Sequence, residues 1–188
     1  MKRNFAILLF CVLIFGSCGS GGPLVTSLSS LYDYEYDSSP IKDAEFSTKY
    51  NENIKNRTTN LKIACQTIND IIIMPGEIFS FNDTIGKATA EKGYKPAKIF
   101  LKGKEIEGIG GGICQVSSTL YNAADNAGFK IIERHAHSKP VYYVKKDRDA
   151  ATAYGSVDLK IQNEFNFPVK IVCFAEKGKL LVRLERII

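Results

Sequence analysis

The chain has 188 residues, with 25 basic and 20 acidic side chains and a formal net charge of +5. That length favours one domain rather than two. Charges of both signs are interspersed along the chain, and the net charge is far from the concentrated basic footprint of a nucleic-acid-binding protein. We therefore expect one domain that does not bind nucleic acid.

The first 17 residues have the pattern of an export signal. A positive head at Lys2 and Arg3 precedes an uncharged apolar run from Phe5 to Phe15, and two small residues then lead to Cys18. This order is typical of a secretory signal peptide. The apolar run is about half of the ~20 residues that a membrane-spanning helix needs. We therefore expect the chain to leave the cytoplasm.

Cys18 ends the tetrapeptide Phe-Gly-Ser-Cys, which is similar to a bacterial lipobox, although Phe15 stands where leucine is usual. The sequence thus predicts a signal peptide over residues 1–17 and a lipidated Cys18 that anchors the protein to the outer face of the cell membrane. An uncleaved short membrane anchor is the alternative and gives the same location. Residues 18–45, without a sustained hydrophobic period, are predicted to be a flexible tether.

Beyond the tether, hydrophobic periodicity predicts an α+β domain over residues 46–188. Apolar positions at helical spacing over residues 51–72 predict one main helix, which Pro75-Gly76 ends. The same spacing from Ile113 to Ala127 predicts a second helix, and Gly128 is placed to cap it. Alternation and turn residues predict strands at 77–81, 98–102, 104–107, 129–133, 141–144, 157–161, 169–175 and 180–187. The result is a mostly antiparallel sheet with two main helices.

Three cysteines follow Cys18, an odd number that leaves at least one thiol free if pairing is internal. Cys65 and Cys173 lie in apolar segments, where a free cysteine is usually buried and inert. Cys114 instead follows the run Gly110–Gly112 and starts the second helix. Free backbone N–H groups and the helix dipole favour an anion there, so we expect a lowered pKa for this thiol. The glycines leave room for a substrate and for N–H groups that face an oxyanion.

A catalytic cysteine needs a base, and the only histidines of the chain are His135 and His137. They are two residues apart on the strand predicted after the second helix, which places both on one face of the sheet, so either can reach Cys114. Asp149 and Asp158 are the carboxylates that can orient the imidazole. Two other interpretations remain: a structural cysteine beside a glycine turn, or a Cys and His-x-His metal site, for which a fourth ligand is missing.

Five ordered blocks of sequence make the chain recognisable: PGEIFSFN at 75–82, GIGGGICQVSSTLYNA at 108–123, ERHAHS at 133–138, DA at 149–150 and YGSVD at 154–158. Over about residues 46–171 the chain thereby resembles the VanW family, named for an accessory protein of vancomycin-resistance clusters. Members occur in the cell envelope of Gram-positive bacteria. Some are implicated as peptidoglycan L,D-transpeptidases that use a cysteine and form 3-3 cross-links. The resemblance therefore implies peptidoglycan stem peptides as partners.

On the family pattern, the cysteine of the glycine block corresponds to Cys114, and the His-Ser pair to His137 and Ser138, which makes His137 the preferred base. Asp149 or Asp158 would hold the imidazole. No metal, nucleotide or other cofactor is expected. The residues expected to contact substrate are Gly110, Gly111, Gly112, Gln115, Ser117, Arg134, Ser138 and Tyr154, with Arg134 as the partner of a substrate carboxylate.

Two other functions remain open from the sequence. One is a cell-wall cysteine peptidase, which uses the same residues with water as the acceptor. The other is a non-catalytic envelope-binding accessory protein linked to glycopeptide resistance, in which the glycine and cysteine block forms a ligand pocket or only packs.

Overall fold

The computed structural model describes residues 41–42, 44–101 and 104–187. The predicted signal peptide, Cys18 and nearly all of the predicted tether lie outside the described residues. The helices are α1 (Lys55–Ile68), α2 (Phe81–Ile85) and α3 (Ile113–Ala127). The strands are β1 (Glu45–Lys49), β2 (Ile72–Ile73), β3 (Ile78–Ser80), β4 (Pro96–Leu101), β5 (Lys104–Ile109), β6 (Lys130–Glu133), β7 (Lys160–Gln162), β8 (Val169–Glu176) and β9 (Lys179–Arg186). Within these ranges no helix has the length and apolar character needed to cross a membrane.

The core lies between the two long helices and a four-stranded antiparallel sheet with the order β1-β9-β8-β2. The alternation of buried and more exposed residues along β8 shows which face of the sheet the helices cover, because every second residue, from Val169 to Ala175, is buried. Successive side chains of a strand point to opposite faces, so these buried residues form one apolar face of the sheet. On α1 the buried residues Leu61, Ala64, Cys65 and Ile68 recur at helical spacing and pack on that face.

Glycines with left-handed backbone flank α3 at both ends. Gly112 precedes the helix with a φ of 112°, and Gly128 follows it with a φ of 91° and donates its N–H to the carbonyls of the last turn. A side chain would strain either position, which is why glycine is found there. The helix and its C-terminal cap are as the sequence predicts, and Cys114 lies in the first turn.

A second antiparallel sheet has the order β3-β7-β6, and β4 and β5 form a separate hairpin. The hairpin is attached to α1 through Asn60. Its Nδ2 donates to the carbonyls of Lys95 and Gly111, each at 2.9 Å, and its Oδ1 accepts the Lys95 N–H at 2.8 Å. Asn60 is fully buried, so one satisfied amide fixes the hairpin and the glycine run against the same helix.

Two local predictions differ from the structure. The strand predicted at 77–81 ends at Ser80 and Phe81 begins α2, because Ser80 accepts the Asp83 N–H at 3.0 Å and caps a new helix. Residues 141–144 form no strand. A strand needs a neighbour for its backbone groups, whereas Val141 and Tyr142 lie along a groove. The α+β class with mostly antiparallel sheets is confirmed, and α1 and α3 are its two main helices.

Candidate active site

A groove with a volume of about 1370 Å³ runs across the molecule at the start of α3. It is lined by the start of α1, the β4–β5 hairpin, the glycine run, and the segments 136–142 and 151–157. Cys114 and His137 both line it. The two residues that the sequence predicts as thiol and base are therefore exposed to the same cavity.

Cys114, His137 and Asp149 are neighbours, with His137 interacting with both of the others. The Cys114 thiol and the His137 imidazole are close enough for each to shift the pKa of the other, while the thiol lies 3.4 Å from the Thr152 carbonyl. On the other side of the ring, His137 Nδ1 lies 2.5 Å from Asp149 Oδ2, which also accepts the His137 backbone N–H at 2.7 Å. Because Nδ1 is engaged by Asp149, Nε2 is the ring nitrogen left to exchange a proton with the thiol. Cysteine, base and orienting carboxylate in this order are the arrangement by which a base activates a nucleophile.

The electrostatics of this chain favour a charged pair. Burial raises the pKa of the Cys114 thiol, but the interactions with His137 and with Thr152 together outweigh it, and the pKa lies below its ordinary value of 9.0. Burial lowers the pKa of His137, but Cys114 and Asp149 outweigh it and hold the pKa above 6.5. Both shifts favour a thiolate beside an imidazolium, the reactive form of such a cysteine.

Asp149 is held by Arg134 and by the polar face of α3. Arg134 Nη2 donates to Asp149 Oδ1 at 3.0 Å and Nε donates to the Asp149 carbonyl at 2.5 Å. Next along the chain, Ala150 donates its N–H to Ser118 at 2.8 Å, and its carbonyl accepts from Ser117 at 2.7 Å. The same helix that carries the thiol therefore also positions the carboxylate.

The glycine run and the start of α3 leave three backbone N–H groups at the groove without an acceptor. Gly110 donates to the Lys95 carbonyl at 3.2 Å, and Ile113 donates to the Gly110 carbonyl at 3.2 Å. Among the described residues, the N–H groups of Gly111, Gly112 and Cys114 have no acceptor, and all three residues line the groove. The N–H groups that can stabilise an oxyanion are therefore those of Gly111, Gly112 and Cys114.

Two of the predicted alternatives lie away from the thiol. His135 Nε2 is 3.1 Å from the Glu133 carboxylate on the exposed side of the chain. β6 ends at Glu133, so the two histidines do not share a strand face as expected. Asp158 accepts from Ser80 at 2.6 Å and from the Asn82 N–H at 2.9 Å, which secures the start of α2. The structure therefore selects His137 over His135, and Asp149 over Asp158, as the residues beside Cys114.

The predicted substrate contacts divide between groove and core. Gly110, Gly111, Gly112, Ser138 and Tyr154 line the groove. Gln115 and Ser117 are corrected to buried residues: Gln115 Nε2 donates to Thr48 and to the Lys49 carbonyl at 2.9 Å each. Arg134 is also corrected, because its guanidinium is engaged by Asp149 and by the Asp147 carbonyl at 2.9 Å.

Sequence reasoning missed several residues of the groove. Thr152 offers its carbonyl to the Cys114 thiol at 3.4 Å. Arg57, in the first half of α1, lines the groove opposite Tyr142, with its guanidinium carbon 5.9 Å from the ring centroid. Arg57 lies outside the five sequence blocks, and Thr152 falls between the blocks at 149–150 and 154–158 without belonging to either. Only the long-range packing of α1 and of residues 142–152 brings the two residues to Cys114. Among the described residues, no cluster of three or more His, Cys, Asp or Glu could hold a metal ion.

Fold and site together define an α+β domain in which a cysteine, paired with a histidine, lies at the surface of a groove. The chain belongs to the VanW family: the family described as VanW like protein matches residues 56–185. The uncharacterized protein YoaR of Bacillus subtilis is 41% identical over 140 residues, which cover 74% of this chain and 46% of that protein. The vancomycin B-type resistance protein VanW of Enterococcus faecalis is 31% identical over 132 residues, 68% of this chain and 48% of that protein. The chain thus spans about half the length of these curated relatives. No solved structure matches it.

Proposed function

We propose that this protein is a cysteine-dependent peptidoglycan L,D-transpeptidase of the cell envelope, which joins stem peptides through 3-3 cross-links. One observation carries the proposal: His137 is paired with Asp149 through Nδ1 and interacts electrostatically with the Cys114 thiol, and both His137 and Cys114 line a groove. The family resemblance supplies the substrate class. The name of the Enterococcus relative, a vancomycin resistance protein, is consistent with a role in the envelope.

The first half of the reaction forms an acyl-enzyme. The Cys114 thiolate attacks the carbonyl carbon of the third residue of a donor stem, and the carbonyl oxygen becomes an oxyanion that the free N–H groups of Gly111, Gly112 and Cys114 can stabilise. The C–N bond then breaks, and the His137 imidazolium gives its proton to the departing D-alanine amine. A thioester and a neutral imidazole remain.

The second half transfers the acyl group. The side-chain amine of a neighbouring stem, deprotonated, attacks the thioester carbon and passes a proton to His137. The new C–N bond forms, the C–S bond breaks, and the thiolate beside an imidazolium is restored. Asp149 stays ionised throughout, because His137 holds its pKa below the ordinary value against the effect of burial. Its role is to orient the ring and stabilise its charged form.

The size of the groove supports a reaction with two peptide substrates. Pockets for one small ligand have volumes of roughly 300–1,000 Å³, whereas this groove has about 1370 Å³. A donor stem and an acceptor stem must both reach the thiol in a transpeptidase. A peptidase needs room for one peptide and a water molecule.

The test is mass-spectrometric analysis of stem peptides after incubation with the full chain and tetrapeptide stems. New 3-3 dimers are the expected product. Shortened stems alone would instead support a cell-wall peptidase, and unchanged stems would support a binding protein. Cys114→Ala should abolish product formation, and retention of full activity by this variant would refute the assignment of the nucleophile.

His135→Gln serves as the matched control for His137→Gln in the same assay. Both substitutions replace a histidine within the same three-residue stretch, but only His137 contacts the thiol. We expect His135→Gln to keep its activity. Equal losses in the two variants would show that the stretch matters for folding rather than for catalysis.

The location of the reaction is part of the proposal and rests on the leader, outside the described residues. Lipidation at Cys18 would hold the domain at the outer face of the membrane, where peptidoglycan is within reach. Metabolic labelling with a radioactive fatty acid tests this directly. Label should enter the wild-type chain and be absent from Cys18→Ala; equal labelling of the two would exclude this anchor.

A further inference from the structure

Arg57 presents a positive charge to the groove without an acidic partner. Its side chain is half-buried and lines the groove. Among the described residues it makes no hydrogen bond or ion pair; its guanidinium stands 5.9 Å from the centroid of the Tyr142 ring. Arg134, in contrast, is engaged by Asp149. Arg57 therefore remains free to bind a ligand.

Arg57 lies in the part of the groove that contains the Cys114 thiol. Its Cγ lies only 2.9 Å from the place where a Cβ on Gly112 would stand, and Gly112 is the N-cap of α3, two residues before Cys114. Tyr143 gives a second indication. Burial and the charge of Cys114 raise the pKa of its phenol, and Arg57 acts in the opposite direction. The half-buried Tyr143 ring thus lies within electrostatic range of both Cys114 and Arg57.

The charges along the groove favour an anionic ligand. Among the described lining residues, four are basic (Lys55, Arg57, Lys87 and Lys98) and two are acidic (Glu105 and Glu107). Lys98 and Glu105 pair with each other at 2.6 Å, which leaves three basic side chains against one acidic side chain. The planar guanidinium of arginine can bind both oxygens of a carboxylate in parallel, which lysine cannot.

We propose that Arg57 binds the free carboxylate of the residue directly after the scissile peptide bond, and so selects stems that end one residue beyond the attacked carbonyl. This inference rests on the proposed function for its substrate. In a tetrapeptide stem that is attacked after its third residue, the fourth residue carries the terminal acid. In a longer or amidated stem a neutral amide stands at the same place, and the charge that Arg57 would bind is missing.

The test compares two synthetic tetrapeptide stems that differ only in a terminal acid or a terminal carboxamide. Binding is measured by calorimetry to the full chain that carries Cys114→Ala, so that no turnover occurs. We expect the acid to bind roughly 10- to 100-fold more tightly than the amide, the range of a hydrogen bond to a charged group. Arg57→Gln should remove this preference by weakening the acid alone, and Arg57→Lys should keep part of it.

Lys62→Gln is the matched control, because Lys62 is an exposed cation on α1 that does not line the groove. Lys62→Gln should keep the full preference for the acid over the amide. This result would distinguish a specific contact with Arg57 from the overall positive electrostatic field of the molecule. The inference is overturned if Arg57→Gln retains the preference for the acid, or if the parent protein binds both peptides equally or neither of them. Thermal unfolding of each variant verifies that it is folded.

The binding experiment and the cross-linking assay together distinguish a wrong carboxylate subsite from a wrong proposed function. An acid preference that depends on Arg57, together with no cross-linking by the wild-type protein, would overturn the proposed function and leave the carboxylate subsite in place. Cross-linking without any preference between acid and amide would overturn the subsite alone.

Discussion

Asp149→Asn is the substitution that tests the site most sharply, because it removes one charge and changes almost no volume. The carboxylate accepts three hydrogen bonds: Oδ2 from the His137 backbone and ring, and Oδ1 from Arg134 at 3.0 Å. An asparagine has one oxygen and one NH2 group. In either orientation the NH2 group faces a donor, so at least one interaction becomes a repulsion.

The expected loss of stability follows from these contacts. The side chains of Asp149 and Arg134 are only 10% and 22% exposed, so water replaces the lost bond poorly. A hydrogen bond to a charged group contributes about 1.5–3 kcal/mol. For a chain of this size, about 1 kcal/mol corresponds to roughly 2–4 °C in Tm. We therefore expect a Tm roughly 3–12 °C lower than that of the wild-type protein, measured by thermal unfolding.

The difference should also depend on pH in a defined direction. Because His137 holds the pKa of Asp149 below its ordinary value of 3.8, the stabilisation by the carboxylate is complete above that value. It is lost as the pH falls through the lower folded-state pKa. The Tm values of wild type and Asp149→Asn should therefore converge in strong acid. In the cross-linking assay the variant should lose about 10²- to 10⁴-fold in rate, the usual contribution of a positioned base.

Asp147→Asn is the control for these measurements. Asp147 lies in the same loop with an exposed side chain and a φ of 62°, a backbone conformation that asparagine tolerates. Only its carbonyl takes part in the contact with Arg134, so its Tm and rate should not change. An Asp149→Asn variant that matched the wild type in Tm, in the pH dependence of Tm and in rate would refute the role assigned to this carboxylate.

Three further predictions concern the thiols and the glycine run. In His137→Gln, the pH at which Cys114 reacts with a thiol reagent should rise, because the effect of burial on its pKa is then opposed only by the hydrogen bonds to Thr152; stopped-flow alkylation measures this, and an unchanged profile would contradict the thiolate pair. In the native protein, peptide mapping after brief alkylation should find label on Cys114 but not on Cys65, which is 1% exposed. Label on Cys65 without unfolding would contradict the core. Gly111→Ala should cost about 1–3 kcal/mol, measured by chemical denaturation, because its Cβ would stand 2.6 Å from the Lys98 carbonyl. An unchanged free energy of unfolding would show that the loop adjusts freely.

The parts of the fold that the sequence predicts best are those set by local periodicity. The helix from Ile113 to Ala127 and its cap at Gly128 follow from apolar spacing and one glycine, and the structure has them at the predicted residues. The hairpin around residues 96–109 and the paired strands β8 and β9 follow from alternation. Each of these signals lies within a short window, so no knowledge of distant contacts is needed.

The parts of the site that the sequence could not fix depend on contacts between distant segments. Asp149 and Asp158 were equal candidates to orient the imidazole, because nothing in their local sequence distinguishes them. The choice is made by the loop after β6, which returns along α3 and places Asp149 Oδ2 2.5 Å from His137 Nδ1. Arg134 was expected to bind a substrate carboxylate, but in the structure it donates to Asp149 in the same loop.

The first turns of α3 show why a residue in a conspicuous motif need not touch the substrate. Successive residues of a helix are about 100° apart, so when Cys114 faces the groove, Gln115 points toward β1. There its amide donates to Thr48 at 2.9 Å and to the Lys49 carbonyl at 2.9 Å. On another side, Ser118 donates to the Cys114 carbonyl at 2.7 Å and accepts the Ala150 N–H at 2.8 Å.

These bonds hold α3 from two directions and leave little freedom of rotation about its axis. The helix carries the thiol, and through Ala150 it also fixes the neighbouring Asp149, which holds His137 at 2.5 Å. A rotation of α3 would therefore move nucleophile and carboxylate together and break the contact of each with the imidazole. The polar residues after Cys114 in the glycine and cysteine block are thus explained by the geometry of the thiol and its base, even though they are buried away from the groove.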